Sequence, residues 1–70
     1  DQRLAGFLIA YHNRTGLLKL KMTQEAIAVE VNTAREVVAR MLKQFASEGL
    51  IEMKRGSITF KDIEGLRMLL

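Results

Sequence analysis

The sequence predicts an α+β fold: a small helical core carrying a short antiparallel sheet. Three observations predict it. Apolar residues recur at helical spacing around Leu4–Tyr11 and again along Val38–Phe45. Period-two alternation marks the runs Leu17–Met22 and Ser57–Lys61. Gly16, Asn32, Gly49 and Gly56 fall between these stretches, where the chain has to turn. At 70 residues the chain is one small domain, 1–70. It starts at Asp1 rather than Met, so it is expected to be a fragment of a longer protein.

Residues 2–13 form the first predicted helix, with Leu4, Phe7, Leu8 and Tyr11 on one face. Arg14-Thr15-Gly16 ends it, because glycine takes positive φ without steric cost. Leu17 to Met22 alternates apolar residues with Lys19 and Lys21, and reads as a strand that needs a partner. Thr23 is the expected N-cap of a short second helix, with Glu25 in its first turn. Asn32 stops that helix, since Asn tolerates the left-handed conformation. Thr33-Ala34-Arg35-Glu36 matches a capping box and opens a third helix that runs to about Glu48, stopped by Gly49. Leu50–Lys54 and Ser57–Lys61 flank Arg55-Gly56 as a hairpin, and Asp62 caps a final helix over 63–69. Two helices joined by a tight turn and followed by a hairpin make a winged helix-turn-helix.

Composition narrows the chemistry. With no Cys and one His, thiol nucleophiles, Cys-based zinc sites and His-pair metal sites are excluded. The carboxylates have no partner base, so an enzyme is not expected, nor is any cofactor. His12 reads as a surface or boundary residue, and the four Met as filler. The longest stretch free of charged residues, Leu4 to Asn13, is about half the roughly 20 apolar residues a membrane span requires. Eleven basic residues against eight acidic give +3, which favours an anionic partner.

The third helix shows where that partner would bind. At about 100° per residue, Ala34, Val38, Met41, Leu42 and Phe45 share roughly 100° of arc and form the expected core face. Arg35, Glu36, Ala39, Arg40 and Lys43 occupy roughly 140° on the other side. A charged outer face is an ordinary solvated surface on most helices. It also suits a major groove about 12 Å wide, where Arg forks onto guanine O6 and N7 and Glu accepts from cytosine N4. Glu36 has two readings, base contact and reciprocal capping of the Thr33 N–H. Thr23 is first a cap and second a phosphate donor, and Lys54 and Arg55 are either solvated turn residues or phosphate contacts.

The chain resembles the C-terminal DNA-binding domain of the cyclic-AMP receptor protein / fumarate–nitrate regulator (Crp/Fnr) family of bacterial transcription regulators, over essentially all 70 residues. Four motifs in order carry the likeness: Met22-Thr23-Gln24-Glu25-Ala26-Ile27-Ala28, Thr33-Ala34-Arg35-Glu36-Val37-Val38-Ala39-Arg40, Gly49-Leu50-Ile51 and Arg55-Gly56-Ser57-Ile58. Ala28 and Val38 sit four before and six after Asn32, matching the small-residue and apolar positions of the general helix-turn-helix pattern.

The resemblance implies base contacts for Arg35, Glu36 and Arg40, and phosphate contacts for Thr23, Thr33, Lys43, Lys54, Arg55 and Ser57. It implies a cytoplasmic regulator whose homodimer reads a palindromic operator, with RNA polymerase as a further candidate partner and the isolated fragment a monomer. The family's effector-binding domain would lie before Asp1. The chain departs from the pattern at Ala34 and Val37, where relatives often carry Ser and Thr, and at Asn32, where Gly is usual. The alternative function is a winged helix that binds protein without reading bases. Its signature, an apolar patch on the third helix's outer face, is missing from the sequence.

Overall fold

The computed structural model describes residues 2–70; Asp1, the first residue of the expected domain, lies outside the described residues. The elements are α1 (Gln2–Thr15), β1 (Lys19–Leu20), α2 (Gln24–Val31), α3 (Arg35–Ser47), β2 (Ile51–Lys54), β3 (Ser57–Phe60) and α4 (Ile63–Arg67). The sheet has the order β1-β3-β2, antiparallel throughout. The architecture is a winged helix-turn-helix, with the β2–β3 hairpin as the wing.

Local chemistry accounts for most boundaries. The Gly16 N–H donates to the His12 carbonyl at 2.7 Å, closing α1 with Gly16 in left-handed backbone. Thr23 Oγ1 accepts from the Ala26 N–H at 3.1 Å, and Asp62 Oδ1 from the Gly65 N–H at 3.0 Å, so both expected caps form. Gly49 has φ 78°, while Leu50 N–H donates to Phe45 O and Gly49 N–H to Ala46 O. That is a Schellman closure of α3, and it drives Leu50 into the core beside Phe45. Gly65 answers a different need: a Cβ there would lie 2.5 Å from Leu50 Cδ2 and 2.7 Å from Asp62 Oδ2.

Two local expectations fail. Thr33 does not cap α3. Asn32 adopts φ 56°, the Thr33 N–H donates to Ala28 O at 3.0 Å, and the Asn32 N–H donates to Val29 O. These bonds complete a Schellman closure of α2 and commit the Thr33 backbone to it. The next helix therefore opens one residue later. Its N-cap is Ala34, which is exposed rather than in the core and supplies no side-chain cap. The Thr33–Glu36 capping box is absent, and Glu36 is freed from that role. Replacing Ala34 with Ser is expected to stabilise the domain by about 1 kcal/mol in urea unfolding, since Ser accepts from an orphan N–H where Ala cannot.

The second failure is the length of the first strand. Of Leu17–Met22, only Lys19 and Leu20 pair, opposite Thr59 and Ile58. Leu18 adds one bond, from the Phe60 N–H at 2.7 Å. Beyond Leu20 the chain must leave the sheet to reach the Thr23 cap. Leu17 and Leu18 remain exposed.

One core joins all seven elements. Leu4, Ala5, Leu8 and Ile9 of α1 meet Leu20 of β1, Ile27, Ala28 and Val31 of α2, and Val38, Leu42 and Phe45 of α3. Leu50 and Ile51, Ile58 and Phe60, and Leu66 of α4 close it from the other side. Leu66 is fully buried, whereas Met68 and Leu70 beyond it are exposed. His12 sits at the boundary, with Nδ1–H donating to Leu17 O at 2.8 Å and its ring edge against Phe60.

Candidate nucleic-acid interface

The αL turn at Asn32 sets α3 across α2, with Val38, Leu42 and Phe45 inward. That arrangement fixes what faces outward. Glu36, Arg40 and Lys43 follow one another at i, i+4, i+7 and are all exposed, so they form a single charged stripe along α3. Among the described residues none of the three makes a salt bridge or side-chain hydrogen bond. Their charges are therefore available to an incoming ligand. Ala39, half-buried beside the stripe, adds no bulk that would hold a duplex off.

Arg35 lies apart from the stripe, at the first residue of α3. Its Nε is 3.2 Å from Glu25 Oε2 on α2. Both side chains line a groove of about 470 Å³ between the start of α2, α3 and the wing, together with Thr23, Gln24, Lys54, Arg55 and Ser57. The groove thus gathers five of the nine residues expected to touch DNA. Lys54 and Arg55 reach it from the turn of the wing, where Lys54 pairs with Ser57 and Gly56 supplies positive φ. Ser57 is only 9% exposed and lines the groove from within, as the inward-facing first residue of β3. Thr33, with its backbone holding the turn, is exposed and does not line the wing groove, although Arg35 two residues on does.

Two residues that position this site have no signal in the sequence. Glu25 reads only as a first-turn acid, because its meeting with Arg35 depends on the turn angle. Arg3 reads as a surface cation of α1, yet its Nη1 donates to the carbonyls of Val31 and Asn32 at 3.2 and 3.3 Å. It therefore braces the turn from behind. No helix among the described residues is long and apolar enough to cross a membrane, and no three metal-ligating side chains cluster among them.

The family model of the Crp-like helix-turn-helix domain matches residues 2–69. The chain belongs to that family. Among curated relatives, the transcriptional regulator SdrP of Thermus thermophilus is 34% identical over 58 residues, covering 83% of this chain and 29% of SdrP.

Among solved structures, a protein from Eubacterium rectale described as a transcriptional regulator of the crp/fnr family superposes with TM-score 0.93 at 42% identity. The match covers 99% of this chain and 32% of that one. The catabolite activator protein of Thermus thermophilus shares the fold at TM-score 0.92 and 22% identity, over 97% of this chain and 32% of that one. The Crp-like domain thus spans about a third of the length of the relatives it matches. Family and fold are those of DNA-binding domains of transcription regulators, not of enzymes.

Proposed function

We propose that the chain reads double-stranded DNA by sequence, with α3 in the major groove, as the output domain of a Crp/Fnr-type regulator. The observation that carries this reading is the Glu36–Arg40–Lys43 stripe, unpartnered among the described residues, on a helix whose opposite face is fixed in the core. A helix about 10–12 Å across fits a groove about 12 Å wide. At about 1.5 Å per residue, α3 is roughly 20 Å long, enough to follow several base pairs.

In this arrangement Arg35 and Arg40 fork onto guanines, and Glu36 accepts from cytosine N4. Thr23, Thr33, Lys43, Lys54 and Arg55 meet the phosphates on either side. Ser57, only 9% exposed, is the least accessible of the expected phosphate contacts. In a longer protein carrying this domain, a homodimer sets two such helices on a near-palindromic operator in the cytoplasm, with RNA polymerase as a further partner.

Lys54→Ala separates phosphate contact from base reading. Removing one phosphate-neutralising cation is expected to weaken binding to all duplexes alike and to lower the slope of log K against log salt by about one. Titration of selected and scrambled duplexes across salt concentrations checks it. A change confined to the selected duplex would place Lys54 on a base instead.

Protein binding without base reading remains the second reading, and exposed Leu17 and Leu18 favour it. With Phe7, Tyr11 and Met22 they line a hollow of about 790 Å³ on the side of β1. That hollow is separate from the α3 stripe, and on this second reading it, rather than α3, is the contact surface.

A further inference from the structure

Glu25 and Arg35 belong to different helices and meet only because the Asn32 turn folds α3 back across α2. Their side chains are 66% and 63% exposed. An exposed ion pair adds little to folding stability. What it changes is the behaviour of the arginine. A guanidinium at the mouth of a groove that also holds Lys54 and Arg55 has two kinds of acceptor within reach when a duplex docks. One is the neutral edge of a guanine, and the other is a charged phosphate.

A carboxylate alongside that guanidinium treats the two differently. It repels the phosphate, a like charge, and leaves an uncharged base edge unopposed. Contact at Nε also fixes the plane of the fork while leaving donors for a bidentate contact, since the guanidinium has five N–H groups. Less side-chain freedom then has to be lost on binding.

We propose that Glu25 is a specificity-determining residue, whose carboxylate on α2 holds Arg35 as a base reader and keeps it off the phosphates. The inference rests on the proposed reading of α3. It assigns a role to a residue that touches no base itself.

Glu25→Gln keeps the side chain's length and leaves the Thr23 cap in place, so the fold is retained, as thermal melts would verify. The probes are a duplex selected from a random pool by the unaltered protein and a scrambled duplex of equal length. Both are titrated from low to moderate salt with Glu25→Gln, Arg35→Ala and the double variant. The expected result for Glu25→Gln is tighter binding to the scrambled duplex, with a salt slope steeper by up to about one. The ratio of selected to scrambled affinity should fall about two- to fivefold. Base preference should relax at the same position that Arg35→Ala relaxes, and Glu25→Gln should add nothing once Arg35 is gone.

An unchanged ratio, with both affinities rising together, would overturn the proposal and reduce Glu25 to background charge. So would an equal fall in the ratio without Arg35. If Arg35→Ala discriminates poorly while Glu25→Gln is silent, only the role of Glu25 is lost. If Arg35→Ala itself leaves every base preference intact, the assignment of Arg35 as a reader falls, and this inference with it.

Discussion

Leu42→Ala is expected to remove about 3 kcal/mol of stability and to lower Tm by about 15 °C. Leu42 has no exposed surface and lies on the inner face of α3, within the one cluster that joins every element. Truncating it leaves a void that packed neighbours fill only partly. In a 70-residue domain this loss is a large fraction of the total, on the order of 0.05–0.15 kcal/mol per residue. Urea unfolding followed by circular dichroism measures it. Leu42→Met, similar in volume, should cost less than about 1.5 kcal/mol. Equal losses from both variants would mean that the site is not close-packed. DNA binding by Leu42→Ala should recover on cooling to the extent that the fold does, because Leu42 supplies no contact of its own to a duplex.

Arg40→Ala is expected to do the reverse: leave stability nearly unchanged and lower affinity for the selected duplex by about 5- to 150-fold. Arg40 is exposed at the centre of the stripe and makes no hydrogen bond or salt bridge among the described residues. Its removal leaves no buried partner stranded. A bidentate fork on guanine is worth about 1–3 kcal/mol of discrimination, which is the source of that range. The scrambled duplex should lose only the smaller, salt-dependent share of a single cation. The base preference that relaxes identifies the position Arg40 reads. Retained discrimination in both Arg40→Ala and Arg35→Ala would remove base reading from α3.

The contrast between these two variants shows what was legible in the chain. The inner face of α3 was legible because burial follows periodicity: Val38, Leu42 and Phe45 lie where the spacing puts them. Thr23, Gly49 and Asp62 were legible because each satisfies orphaned backbone groups in one local way. Thr33 departs from its local pattern because two local rules compete for it. The Thr-x-x-Glu pattern asks it to cap α3, but the closure of α2 takes its backbone first, and Ala34 inherits the cap position. The strand around Leu17–Met22 was overextended because alternation reports which way side chains can point, not how many residues find a partner.

At the site, the stripe could be read from α3 alone. The pairing of Arg35 with Glu25, the bracing bonds of Arg3 and the covering of Ser57 all depend on how separate elements meet, and no local pattern encodes that.

The bracing by Arg3 has a consequence for the backbone. Its side chain reaches from the first turn of α1 to the carbonyls of Val31 and Asn32, so the start of one helix supplies donors to the end of another. A helix terminus leaves its last carbonyls without intrahelical donors, and here a cation from a distant part of the chain takes up two of them.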